Sequence, residues 1–85
     1  MAKIKVDGDA KRPSADKEAL EKLGRNLRRL REENGFSQLR LGLESGVSLH
    51  YISDLECGRR NPSFLVLFRI AKALGVGIGE LVDFD

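Results

Sequence analysis

The chain has 85 residues, enough to bury one small hydrophobic core but too few for several domains. Hydrophobic residues make up 41% of it and charged residues 33%, which excludes a disordered chain, and no apolar run reaches the roughly 18 residues that span a membrane. The net charge is +2, but the segment from Arg25 to Lys72 holds nine basic residues and five acidic ones. This excess fits either one phosphate-facing side or an ordinary solvated surface, and charge alone favours the solvated surface.

Residues 1–15 show no sustained apolar period and include a glycine and a proline, so we predict a flexible N-terminal arm. The helical period begins at Asp16, which opens a single folded domain over residues 16–85. An apolar stripe with helical spacing then runs through Leu20, Leu23, Leu27 and Leu30. Gly24 interrupts this first helix at some cost in helix propensity, which predicts a close packing contact there.

Three serines mark the starts of further helices, because a serine side chain accepts a hydrogen bond from the free N–H groups of a first helical turn. Ser37, Ser48 and Ser63 precede predicted helices over residues 38–45, 49–56 and 64–74, and a short last helix is predicted over residues 78–82. No segment alternates as a strand does, so the predicted fold class is all-α with five helices.

The buried faces of the second and third helices follow from the same periodicity. Leu41 is predicted to be a core residue and Leu39 to lie nearer the edge, while Gly42 requires another helix to cross closely there. Phe36 precedes the second helix and is predicted to pack against its first turn. The third helix buries Val47, Ile52 and Leu55, which leaves Leu49, His50, Ser53 and Asp54 projecting outward.

The segment between these two helices is the most informative part of the chain. Residues 44–48, Glu-Ser-Gly-Val-Ser, have the length and the glycine of a helix-turn-helix, in which two helices meet at a steep angle. Gly46 supplies the positive φ of the turn. Both capped helices offer free N–H groups to a phosphate, and the outer face of the third helix is small and polar enough for a DNA major groove.

Helix pairs with a glycine turn are common, and the whole run of motifs is more specific. The motifs are Gly-Phe-Ser-Gln at 35–38, Ser-Gly-Val-Ser at 45–48, Tyr-Ile-Ser at 51–53, Glu-Cys-Gly-Arg-Arg-Asn-Pro-Ser at 56–63 and Ile-Ala-Lys-Ala-Leu-Gly-Val at 70–76. Over residues 23–81 the chain resembles the XRE/Cro-type family of phage and bacterial repressors. Its size, Tyr51 and the loop at 59–63 are especially similar to controller proteins of restriction–modification systems.

This resemblance implies a compact, lambda-repressor-like domain of five helices and a dimeric, sequence-specific transcriptional regulator. Its third helix would enter the major groove of a double-stranded DNA operator. It implies no cofactor, no metal and no small-molecule ligand. The single cysteine, Cys57, and the absence of an apolar secretory signal at the start fit the cytoplasmic, nucleoid-associated location that we expect.

The resemblance also implies roles for individual residues. The implied DNA-binding set is Ser37, Gln38, Arg40, Ser48, Leu49, His50, Tyr51, Ser53, Asp54, Arg59, Arg60 and Asn61. The positions that face base edges are matched by Ser48, Leu49, His50 and Asp54. Gln38 matches a position that clamps a phosphate. The positions that contact the DNA backbone are matched by Ser37, Ser53, Arg59, Arg60 and Asn61. Arg31 and Glu56 match a partly buried salt bridge between the first and third helices, which belongs to the scaffold.

Departures from the family pattern add further expectations. Leu49 stands where arginine or glutamine is frequent, so it would contact a thymine methyl instead of a guanine. Arg40 replaces a usual acidic residue and would add a DNA contact. Apolar residues on the outer face of the fourth helix predict burial by a second subunit. The predicted dimer interface comprises Leu65, Val66, Phe68, Val76, Ile78, Val82 and Phe84.

Several alternatives remain open from the residues alone. Asp54 either accepts a hydrogen bond from cytosine N4 or orients basic neighbours. His50 either contacts DNA in the groove or is a surface residue without a role in binding. The N-terminal arm either touches DNA or is a passive tail. An antitoxin or another protein-interaction module is the alternative function. An enzyme is not expected, because one histidine, one cysteine and scattered carboxylates offer no nucleophile–base pair.

Overall fold

The computed structural model describes the backbone of residues 13–84 and the side chains of residues 15–84. The helices are α1 (Pro13–Glu33), α2 (Gln38–Ser45), α3 (Leu49–Glu56), α4 (Phe64–Leu74) and α5 (Ile78–Leu81). No strand forms within these described residues, so the predicted all-α fold with five helices is confirmed. Over the same part of the chain, no helix combines the length and the apolar character needed to cross a bilayer.

The first helix begins earlier than predicted, at Pro13 instead of Asp16. Proline suits a first helical position, because its fixed φ matches the helix and the N–H that it lacks has no partner there. The leucine stripe starts later along the chain and therefore gives no signal for this first turn. Residues 13–15 thus belong to α1 and not to the predicted arm, whose remainder, residues 1–12, lies outside the described residues.

Serine caps set the starts of the three middle helices, as predicted. The hydroxyl of Ser37 accepts a hydrogen bond of 2.9 Å from the N–H of Arg40. Ser48 and Ser63 accept the equivalent bonds, of 3.0 and 3.2 Å, at the starts of α3 and α4. Each cap satisfies one of the N–H groups that an isolated helix start leaves without a partner, so the bounds of α2, α3 and α4 agree with those expected.

The core lies where all five helices meet: α1 packs on α3 and α5, α2 on α3 and α4, and α4 on α5. The buried hydrophobic residues are Leu23, Leu27, Leu30, Leu41, Val47, Ile52, Leu55, Ile70, Ala71, Leu74 and Leu81. The polar residues Asn26, Arg31 and Ser45 are buried beside them, and the side chain of Asn26 donates to the carbonyls of Glu80 and Leu81, at 2.9 and 2.7 Å. These bonds attach the short α5, which ends at Leu81 with Val82 as its cap residue, to α1.

Two glycines allow backbones to approach more closely than a side chain would permit. A Cβ at Gly24 would lie 2.5 Å from the carbonyl oxygen of Leu55, which confirms the predicted close packing contact and shows that it is made with the end of α3. A Cβ at Gly42 would lie 2.7 Å from the carbonyl oxygen of Val47. The prediction that another helix crosses at Gly42 is therefore wrong, because the close neighbour is the turn that follows α2.

Candidate DNA-binding surface

The turn between α2 and α3 is fixed by backbone hydrogen bonds and one apolar anchor. Gly46 adopts the left-handed conformation, with φ 74° and ψ 19°, which glycine enters without the steric cost of a Cβ. The N–H groups of Gly46 and Val47 both donate to the carbonyl of Gly42, at 2.9 and 3.2 Å. The side chain of Val47 is buried in the core. The two helices therefore hold one fixed relative orientation.

A buried ion pair ties this unit to α1. The side chains of Arg31 and Glu56 are 10% and 4% exposed, and Nε of Arg31 lies 2.5 Å from Oε2 of Glu56. A second guanidinium nitrogen donates to the other carboxylate oxygen at 3.1 Å, and a third donates to the carbonyl of Phe36 at 2.8 Å. The hydrogen bond to Glu56 raises the pKa of Arg31 against the opposing effect of burial, so this arginine stays charged.

Gln38 joins the same pair instead of standing free at the start of α2. Its Nε2 donates to Oε1 of Glu56 at 2.9 Å. We name Arg31, Gln38 and Glu56 the junction, because they link the end of α1, the start of α2 and the end of α3. The ion pair is the one that the family resemblance implied, and the amide of Gln38 gives one of its two N–H groups to the carboxylate, which leaves the other for a further partner.

The outer face of α3 carries the residues expected to face base edges. Ser48 caps the helix, and Leu49 and His50 follow it as exposed side chains. Ser53 and Asp54 are less accessible than expected, and the side chain of Asp54 is only 16% exposed. Asp54 does project from the outer face of α3, but the exposed side chains that its carboxylate contacts cover it more than expected.

Three potentially cationic side chains surround the carboxylate of Asp54. Its Oδ1 lies 3.2 Å from a guanidinium nitrogen of Arg59, and its Oδ2 lies 3.5 Å from Nε of Arg60 and 3.3 Å from Nε2 of His50. The carbonyl of Asp54 also accepts from the N–H of Arg59 at 2.9 Å. We call His50, Asp54, Arg59 and Arg60 the Asp54 cluster. It folds the basic loop after α3 back onto that helix.

An aromatic contact holds one of these arginines from the other side. The guanidinium carbon of Arg60 lies 4.7 Å from the centre of the Tyr51 ring, within the range of a cation–π interaction. Arg40 on α2 is held similarly, with its guanidinium carbon 3.9 Å from the ring centre of Phe36 and its Nε 2.9 Å from Glu44. The arginines at both ends of the unit are thus positioned before any ligand arrives.

The structure also exposes three leucines beside the turn, of which sequence analysis assigned only Leu49 to the DNA-binding surface. Leu39, Leu43 and Leu49 are 55%, 75% and 46% exposed. These leucines line a shallow concavity of about 420 Å³, which we name the leucine cleft. Its other lining residues are Gly42, Gly46, Val47 and Ser48. The spacing of Leu39, Leu41 and Leu43 gave the signal, since residues two apart on a helix cannot share a buried face.

The predicted dimer residues lie on α4, on α5 and in the loops next to α5. Leu65, Phe68 and Val82 are exposed, whereas Val66, Val76, Ile78 and Phe84 pack partly against the core. Phe68, Val76 and Ile78 border a concavity of about 210 Å³ between α4 and α5. Sequence analysis missed Phe64, which is exposed and stacks on Phe68 with ring centres 6.2 Å apart; its spacing of four residues from Phe68 was the available signal.

Comparison with known proteins places the chain in a family. Residues 27–81 match the model of the family described as Helix-turn-helix, HTH_3. The uncharacterised HTH-type transcriptional regulator y4dJ of Sinorhizobium fredii is 48% identical over 60 residues, which cover 71% of this chain and 78% of that protein. The chain therefore belongs to the helix-turn-helix family of XRE-type transcriptional regulators.

Within this family, two further similarities are to control proteins. Control protein C.BamHI of Bacillus amyloliquefaciens is 40% identical over 62 residues, which cover 72% of this chain and 76% of that protein. The crystal structure of the restriction-modification controller protein C.AhdI from Aeromonas hydrophila matches with a TM-score of 0.74 at 38% identity, over 75% of this chain and 97% of that one.

Proposed function

We propose that the chain acts as a dimeric, sequence-specific regulator of transcription that inserts α3 into the major groove of a double-stranded DNA operator. The observation that carries this proposal is the rigid α2–turn–α3 unit, whose exposed helix start is flanked by positioned arginines. A prepositioned guanidinium loses little rotamer freedom on binding a phosphate, and helix starts direct N–H groups at anions. Such a regulator acts at the nucleoid, in the cytoplasm.

The contacts divide between reading and anchoring. Leu49 and His50 are the exposed side chains of α3 and supply the base contacts, with Ser48 at its start. Anchoring to the DNA backbone falls to Ser37, Gln38, Arg40, Tyr51, Ser53, Arg59, Arg60 and Asn61. Of the two roles left open for Asp54, its covered carboxylate favours orienting the arginines over accepting from a base.

Dimerisation uses the apolar surface of α4 and α5. Exposed phenylalanines and leucine on one face of α4 make a surface that a second copy would withdraw from water. In a symmetric dimer the two α3 helices lie about 34 Å apart, so that each reads one half-site one DNA turn from the other. The same apolar face favours the alternative function, a protein-interaction module such as an antitoxin. That function does not explain the Asp54 cluster.

Selection from a random duplex pool tests the proposal without knowledge of the operator. The protein is incubated with the pool and bound duplexes are recovered over several rounds. The affinity for the most enriched sequence is then measured at increasing salt concentrations. We expect an enriched inverted repeat and a steep loss of affinity with salt, because phosphate contacts release counterions. Failure to enrich any sequence at low salt overturns the regulator proposal, and a monomeric protein in sedimentation at tens of micromolar overturns the dimer.

A further inference from the structure

The leucine cleft is an exposed apolar surface beside the turn between α2 and α3. An exposed leucine by itself needs no explanation, but Leu39, Leu43 and Leu49 converge on one concavity floored by Gly42 and Gly46, which carry no side chains. Leu41, between the first two, is fully buried, so α2 presents one apolar edge to the core and a second to solvent. The residues of that second edge lie outside the buried core.

The cleft is continuous with the proposed DNA-binding surface. Ser48 and Leu49 border it and are also the cap and the first residue of α3. Any duplex that reaches the start of α3 therefore comes next to the cleft. Arg40 stands between Leu39 and Leu41 in sequence and is the nearest positioned cation on α2, which suits a nucleic-acid neighbour better than an apolar protein segment.

The chemistry of the major groove narrows what can occupy an apolar cleft there. Base edges present hydrogen-bond donors and acceptors, and the C5-methyl group of thymine is the apolar group among them. Leucine offers no hydrogen bond to any base. Resting on the proposed function, we propose that the leucine cleft is a thymine-methyl subsite, and that the operator carries thymine at the base pairs beneath Leu39 and Leu49.

Replacement of thymine by uracil in the selected operator tests this subsite, since uracil differs only by the missing methyl and pairs identically. Each thymine is replaced singly and the affinity measured at fixed salt. One methyl-sized apolar group withdrawn from water corresponds to about a fourfold change in binding constant. We expect a loss of that size at one or two thymines in each half-site and almost none at the others.

Variants of the cleft connect the effect to these leucines. In Leu49→Ala, and to a lesser extent in Leu39→Ala, the ratio of thymine to uracil affinity at the sensitive positions should fall towards one. Arg59→Gln is the matched control: it weakens binding to both duplexes but should leave the ratio unchanged, because its contact is to phosphate. Circular dichroism confirms that each variant folds, which is expected for substitutions of exposed side chains.

The possible outcomes separate this inference from the function on which it rests. A pool that yields no selected sequence contradicts the proposed function. A selected operator that is indifferent to uracil at every thymine overturns the subsite while leaving the regulator intact. A Leu43→Ala variant that changes the sedimentation of the free protein, with the uracil effect absent, assigns the cleft to a second copy of the chain and likewise overturns the proposal.

Discussion

Asp54 is an acidic residue on a surface that we expect to meet phosphate, and its charge taken alone would oppose binding. That repulsion is about 1 kcal/mol for two charges 4 Å apart in water and is further screened by salt. The opposing contribution comes from the ordering of Arg59 and Arg60 by Asp54. Because these side chains are already held in place, binding avoids an entropy cost of roughly 0.5–1.5 kcal/mol for each of them. The ordering is the larger effect, so we propose that Asp54 strengthens DNA binding.

The substitution Asp54→Ala should therefore weaken binding to the operator and to random duplex alike, by about three- to tenfold, since it releases two arginines that we propose to contact phosphates. Fluorescence anisotropy with both duplexes measures the two affinities. His50→Ala is the matched comparison and should instead relax the preference at particular base pairs. An Asp54→Ala protein with relaxed preference at a C·G pair and unchanged affinity for random DNA would show that the carboxylate contacts a base.

The crossing of α1 and α3 depends on a position without a side chain. Alanine in place of Gly24 would gain about 1 kcal/mol in helix propensity but place a Cβ 2.5 Å from the carbonyl oxygen of Leu55, on backbone that cannot move aside. We expect Gly24→Ala to destabilise the fold by roughly 1–3 kcal/mol, as overpacking of a core does. Urea unfolding followed by circular dichroism measures this change.

Gly79 supplies the control for that substitution. It lies in α5, where an added Cβ meets no atom within 4 Å. Gly79→Ala should raise the free energy of unfolding by about 0.5–1 kcal/mol, from helix propensity alone. Equal effects of the two substitutions would mean that α1 and α3 do not pack as closely as described.

The junction holds three helices through one carboxylate, and Glu56→Ala removes it. The change leaves the Arg31 guanidinium buried without its partner, and breaking a buried pair in this way costs about 3–5 kcal/mol. Glu33→Ala, at an exposed ion pair with Arg29 on α1, is the control and should cost less than about 1 kcal/mol. Thermal unfolding at one fixed protein concentration compares them, and similar melting temperatures would contradict the structural role of the junction.

Periodicity and capping predicted the elements well, because both are local. The starts of α2, α3 and α4 follow from serines that bond to N–H groups three residues on, and no distant residue is needed to see that. The sequence missed the bonds from Asn26 to α5, more than fifty residues away, and the covering of Asp54 by the loop after α3. These depend on tertiary approach, which no single window of sequence contains.

At the scale of the whole molecule, a face of α4 stays apolar and exposed, and we propose that it governs the oligomeric state. Phe68 stands at its centre, stacked on Phe64 and bordering the concavity beside α5. Phe68→Asp should leave the monomer folded, because the ring is exposed, but place a charge in the proposed interface. We expect a monomer in sedimentation at roughly tens of micromolar, with operator affinity strongly reduced and affinity for a single half-site kept.

A Phe68→Asp protein that remains a dimer would remove α4 from the interface. Leu43→Ala serves as the comparison, since it also alters an exposed apolar residue but lies on α2, away from α4 in sequence. It should leave the oligomeric state as it is in the unsubstituted protein.

The junction of Arg31, Gln38 and Glu56 has a mechanical consequence for the nucleic acid. Because the junction links α1, α2 and α3, we expect these three helices to move as one unit and to adapt little to an irregular duplex. In the proposed dimer, any mismatch between the spacing of the two half-sites and that of the two α3 helices would then be absorbed by bending or twisting of the DNA. The central base pairs of an operator, although never touched, would influence affinity through their stiffness, and flexible pyrimidine–purine steps there would favour binding.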